Sequence, residues 1–191
     1  MQLECHESAI ASAAALVCRT AHENEHGLQL GSAARLVSLG IFREALRSVL
    51  EEGLEARWER QRRNQQAVNA GLEALGLELF VPNPADRLIT VSAVKVPKGV
   101  EDEKVRHQLL DEFGIEIAGG FGPIKGQIWR VGLMGWSSQK NHVLLFLAAL
   151  EKTLLDQGFR VPSGAGVGAA VRSYTQSESA AARHERVGVG R

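Results

Sequence analysis

The stretch Gly114–Gly135, GIEIAGGFGPIKGQIWRVGLMG, holds two alternating segments joined by a glycine-rich connection. "IEIAGG" reads as one strand, "FGPIKG" as a loop and "QIWRVGLMG" as a second strand. In the last strand Ile128, Arg130, Gly132 and Met134 fall on one side, and Trp129, Val131 and Leu133 on the other. A guanidinium at the centre of a half-buried strand needs a partner. An unpaired charge removed from water costs on the order of several kcal/mol, comparable with the stability of a small domain. Arg130 therefore has to meet an acid, reach solvent or face a cleft that holds an anion. Glu116 on the neighbouring strand is the available acid. Spacing alone leaves the ion pair and the anion site both open.

Working outward, "LELFV" (Leu77 to Val81) and "TVSAVKV" (Thr90 to Val96) supply two more strands, separated by the turn "NPADR". "EDEKVRHQLLDEF" (Glu101 to Phe113) is an amphipathic helix with acids in its first turn and Gly114 at its end. After the last strand, Ser137 or Ser138 caps a helix whose Val143, Phe146, Leu147, Leu150 and Leu154 face a core, and which stops at Gly158. Upstream, Phe42, Leu46, Val49, Leu50, Leu54, Trp58, Val68, Leu72 and Leu75 recur at helical spacing. Gly53 interrupts that pattern, so two helices or one kinked helix satisfy it.

The order helix, β, β, α, β, β, α predicts an α+β fold: long N-terminal helices plus a mostly antiparallel four-stranded sheet with helices on one face. Residues 1–40 read as an N-terminal segment of unclear structure, and 41–160 as the folded domain. Residues 161–191 are rich in Gly, Ala, Ser and Arg with little to bury, and are expected to be a mobile tail.

Composition narrows the function. The formal net charge of zero gives no electrostatic case for nucleic acid or an anionic membrane. The two cysteines, Cys5 and Cys18, make no disulfide framework, and acidic Glu4 and Glu7 stand where an export signal wants positive charge. The longest apolar run, Val143 to Leu150, is too short to span a bilayer. A cytoplasmic setting is expected.

Other constellations read better as structure than as sites. "GGFGPIKG" has the glycines of a phosphate cradle, but it leads into a strand and Lys125 is followed by Gly126. Cys18, His22 and His26 sit four apart with Cys5 and His6 upstream, without zinc-finger spacing, so no metal is expected. "RWERQRR" (Arg57 to Arg63) lies among acids and reads as a solvated helix face. Lys95 sits among valines and reads as pointing out of the sheet rather than as an activated amine.

The ordered segments together carry a resemblance. "FREALRSVLEEGLEARWERQRRNQQAVNAGLEALGLELFV", "ADRLITVSAVKVPKGV" and "LLDEFGIEIAGGFGPIKGQIWRVGLMG" with the helix that follows resemble the C-terminal small domain of class V aminotransferases. The likeness is to the alanine–glyoxylate and serine–pyruvate group, and it covers residues 41–160. It implies a fold-type I aminotransferase domain, pyridoxal phosphate as cofactor, and a homodimer with sites at the subunit interface. It implies amino transfer between alanine or serine and glyoxylate or pyruvate. Arg130 matches the arginine that binds the substrate α-carboxylate in that family. The lysine-bearing large domain has no counterpart here, and the phosphate-contact motif expected before "REALR" is replaced by "GLQLGSAARLVSLG". The isolated chain is therefore expected to be inactive and to represent a truncated or frame-disrupted product. No residue here is expected to be catalytic or to bind the cofactor. A non-catalytic dimerisation or amino-acid-binding module is the alternative.

Overall fold

The long apolar period of the N-terminal half folds as two helices, α1 (Ser32–Glu52) and α2 (Leu54–Ala74). The computed structural model describes residues 32–188, with side chains placed over residues 38–179. Gly53 separates the two helices with a φ of +81°, a conformation that costs glycine least. The chain divides into two compact units between Arg57 and Trp58. In the first, α1 presents Leu39, Phe42, Leu46 and Leu50 at helical spacing, and all four are exposed. In the second, Ala67, Val68 and Leu72 of α2 and the following Leu75 are fully buried.

The second unit is built on three antiparallel strands, β1 (Val91–Lys95), β2 (Ala118–Gly119) and β3 (Ile128–Gly132), in the order β1-β3-β2. Ala93 pairs with Arg130 on one edge of β3, and Ala118 pairs with Arg130 on the other. The expected fourth strand, Leu77–Val81, is corrected: it makes a single bridge, Leu79 to Val94. Two backbone bonds flank that bridge, Lys95 N–H to Glu78 O (2.8 Å) and Phe80 N–H to Ala93 O (2.9 Å). Pairing ends there because Pro82 has no N–H to donate and Asn83 opens a 3-10 turn at Pro84–Asp86.

β2 is also shorter than "IEIAGG" suggests. The preceding helix α3 (Asp102–Phe113) closes with Gly114, and Ile115 N–H is committed to Leu109 O at 3.0 Å. Residues 114–117 thus leave α3 before they can pair with β3. The inward sheet face, Ser92, Val94, Trp129 and Val131, is buried. Its apolar members share one core with Leu72, with Leu109 of α3 and with Leu147 of α4 (Lys140–Asp156).

Within the tail that composition marks as mobile, α5 spans Ala165–Gly188, with Ala170 and Tyr174 buried. Its small residues are contact surface: a Cβ on Gly166 would come within 3.0 Å of Leu75 Cγ. Ser138 does not cap α4, whose N-cap is Gln139 with no side-chain cap bond. The Ser138 hydroxyl accepts instead from Asn64 Nδ2 (3.0 Å), and Asn64 Oδ1 accepts from the Tyr174 hydroxyl (2.7 Å). That buried network joins α2, the turn before α4, and α5, through Asn64, Ser138 and Tyr174.

Candidate functional site

Arg130 sits at the centre of β3 on the outer face of the sheet. Its Nε donates to Gly119 O of β2 at 2.9 Å, and its guanidinium carbon lies 5.1 Å from the centroid of the Phe121 ring. Among the described residues, neither Nη nitrogen has a hydrogen-bond partner and no acid forms an ion pair with Arg130. Glu116, the acid the sequence offered, is exposed and unpaired with it. With Nε engaged, the two Nη groups form an end-on fork, the geometry that receives a carboxylate through two parallel N–H···O bonds.

Space for such a group is present. A Cβ built on Gly132, the next residue on the same side of β3, would meet nothing within 4 Å. A cleft of about 710 Å³ opens where residues 114–117 diverge from β3, with Arg130, Gly132, Met134, Glu116, His142 and Leu145 among its walls. His142 donates from Nδ1 to Ser137 O at 3.3 Å. The Gly122–Ile124 connection is a single 3-10 turn that runs into β3 rather than into an α-helix, which removes the phosphate-cradle reading. At Gly120 a Cβ would lie 2.0 Å from Ile124 O, so close backbone approach explains that glycine.

Behind the sheet, Asp102 at the start of α3 gathers donors from two side chains. Its Oδ1 accepts from Trp129 Nε1 (2.8 Å) and Arg106 Nε (2.9 Å), and its Oδ2 accepts from Arg106 Nη2 (3.3 Å). The hydrogen bond to Asp102 raises the Arg106 pKa above its ordinary value, against the opposing effect of burial. Gly119 lies flat on this pair: a Cβ there would be 3.3 Å from Arg106 Nε and 3.4 Å from Asp102 Oδ2. Asp102 and Arg106 are visible in sequence as an i,i+4 pair. Nothing local signals that the same carboxylate reaches the indole of Trp129.

The remaining sequence candidates separate from this site. Lys95 pairs with Glu78. In "RWERQRR", Arg62 pairs with Glu59 at 3.2 Å while Arg60 reaches across to Ser138 O. Cys5, His6, Cys18, His22 and His26 lie outside the described residues. Among the described residues no group of three His, Cys, Asp or Glu side chains is placed to hold a metal, and no helix is long and apolar enough to cross a membrane.

No family model matches the sequence. The (S)-ureidoglycine–glyoxylate transaminase of Bacillus subtilis is 45% identical over 144 residues, covering 75% of this chain and 34% of the relative. The alanine–glyoxylate aminotransferase of Callithrix jacchus is 43% identical over 119 residues, 62% of this chain and 29% of the relative. Among solved structures, the ureidoglycine–glyoxylate aminotransferase of Bacillus subtilis superposes with a TM-score of 0.68 at 42% identity, covering 82% of this chain and 38% of that one. The pyridoxamine–pyruvate aminotransferase of Mesorhizobium loti superposes with a TM-score of 0.70 at 27% identity, covering 80% and 38%. The chain thus spans about a third of the length of the relatives it matches.

Proposed function

We propose, for a chain homologous to about a third of the class V glyoxylate aminotransferases, that Arg130 holds the carboxylate of a small amino acid or 2-oxo acid. The observation that carries this reading is the Nη fork, without a protein partner among the described residues, beside the open position of Gly132. The substrates in this reading are alanine or serine and glyoxylate or pyruvate. Residues 41–160, with helix α5 packed into their core, act as the small domain, and the assembly is a homodimer in the cytoplasm.

Pyridoxal phosphate supplies the electron sink for such transfers when bound. The residues around Arg130 do not fit it. None of the chain's lysines (Lys95, Lys98, Lys104, Lys125, Lys140 and Lys152) lines the cleft, and no helix N-terminus faces it from the glycine loop. We therefore assign amino transfer to assembly with a larger, lysine-bearing part, and the chain alone is inactive. The same misfit favours the second reading, a non-catalytic module that binds amino or oxo acids or pairs with a partner chain.

Titration of the full chain with pyruvate, followed by side-chain nitrogen NMR, tests the carboxylate role. Arg130→Ala is expected to abolish the binding, and unchanged affinity overturns the assignment. Incubation of the chain with pyridoxal phosphate, alanine and glyoxylate is expected to form no pyruvate. Sustained turnover overturns the claim of inactivity.

A further inference from the structure

Asp102 touches both structures that aim Arg130, although it lies on the opposite face of the sheet. One is Trp129, the neighbour of Arg130 on β3, whose fully buried indole donates to Asp102 Oδ1 at 2.8 Å. The other is Gly119, whose carbonyl accepts from Arg130 Nε and where a Cβ would lie 3.3 Å from Arg106 Nε and 3.4 Å from Asp102 Oδ2. β2 has two residues, too few for its ladder to hold a register unaided. One more backbone bond, Gly120 N–H to Ile128 O at 3.0 Å, extends this short pairing, and the Asp102 carboxylate beside Gly119 is nearly buried, with 11% of its side chain exposed.

We propose that Asp102 is a positioning residue for Arg130, acting through the indole of Trp129 and, together with Arg106, through Gly119. Fixing Trp129 on the inward face fixes the strand rotation that projects Arg130 outward, because successive residues alternate across a sheet. Clamping Gly119 fixes the carbonyl that engages Nε, and so holds the guanidinium in place while leaving its two Nη groups outside that bond. The purpose of this arrangement rests on the carboxylate reading of Arg130, but its mechanics do not require a ligand.

The test uses the full chain and two variants, Asp102→Asn and Arg106→Met. Asparagine keeps an acceptor for Trp129 while losing the charge that holds Arg106. Methionine keeps the Asp102–Trp129 bond and removes only the clamp on Gly119. Nitrogen NMR reads the hydrogen-exchange rate of Arg130 Nε–H against the backbone amide of Val131, which lies in the β1–β3 ladder. We expect the Arg130 Nε–H to exchange about tenfold faster in both variants with the Val131 amide unchanged, since only a local opening is released. Exchange of Nε–H that stays at the wild-type rate, or that accelerates only in step with Val131, overturns the proposal. If Asp102→Asn does not fold, Arg106→Met decides the Gly119 clamp by the same criterion, and Trp129→Phe, which keeps an aromatic ring and removes the donor to Asp102, decides the indole route. Pyruvate affinity is expected to fall in parallel with the loss of Nε–H protection. A wild-type chain that does not bind pyruvate counts against the carboxylate reading, while the exchange rates still decide the positioning role.

Discussion

Leu46 and Leu50 on α1 and Val68 and Leu72 on α2 are each four residues apart on a helix, and sequence gives no means of ranking the two pairs. Leu50 is 82% exposed and Leu72 is 0% exposed. The period of a helix reports which side is apolar, and burial requires a second apolar surface to meet it. For α2 that surface is supplied by the sheet and by Leu147 of α4, in the same core as Tyr174 of α5. Within its own unit, α1 meets no such surface among the described residues.

The sharpest way to break this comparison is to truncate both leucines and measure denaturant unfolding. Leu72→Ala is expected to cost about 2–5 kcal/mol, because the cavity forms in a closed core. Leu50→Ala is expected to change stability by less than about 0.5 kcal/mol. Equal losses would mean that the α1 face is covered in solution.

Glycine offers the same contrast with a smaller expected effect. A Cβ at Gly71 would lie 2.4 Å from Leu147 Cδ1 and 3.1 Å from Gly166 O, a backbone atom, and Leu147 is fully buried. Gly71→Ala is expected to destabilise by about 1–3 kcal/mol through overpacking. At Gly40, inside α1, the added Cβ would meet nothing within 4 Å. There Gly→Ala is expected to stabilise by about 0.5–1 kcal/mol through helix propensity. Thermal midpoints moving in opposite directions confirm the contrast, and a shift of the same sign in both variants breaks it.

An effect of similar size, with a pH signature, concerns the tether from α5 to α2. Tyr174→Phe removes the donor to Asn64 Oδ1 and is expected to cost about 1–3 kcal/mol at neutral pH if that acceptor stays unsatisfied, near the lower end if water reaches it. Burial pushes the Tyr174 phenol up to about 12, whereas an unfolded tyrosine titrates near about 10. The folded state therefore favours the protonated phenol. That contribution is complete below about pH 10 and is lost as pH rises through about 12. Tyr174 is the chain's single tyrosine, so tyrosinate absorbance reads its titration directly. A midpoint near 10 in the folded protein would show that α5 leaves Tyr174 exposed.

Much of the site was legible locally. Alternation placed Arg130 opposite Trp129 and Val131, and Gly132 beside it, because the strand period is a property of consecutive residues. The helix Asp102–Phe113 with its glycine stop was equally plain. The Glu116 pair failed because residues 114–117 follow the end of α3 rather than β3, which no pairwise spacing reveals. Within the tail, helix α5 is not legible from composition, which counts Gly and Ala as nothing to bury, whereas Gly166 permits close approach to Leu75 and Ala170 is buried. Ser138, one of the two serines placed by sequence to cap α4, commits its hydroxyl to an asparagine 74 residues away.

By itself the sequence determined the periods, the helix stops and the side of the strand on which Arg130 stands, since each depends on neighbours a few residues apart. Tertiary structure alone decided that the sheet has three strands among the described residues, that α2 is buried where α1 is not, and that Asp102 reaches Trp129 across 27 residues. It also decided that Tyr174 reaches Asn64 across 110. These contacts form only once a shared core has brought distant segments together, and the loop-closure entropy they overcome is written nowhere in the local pattern.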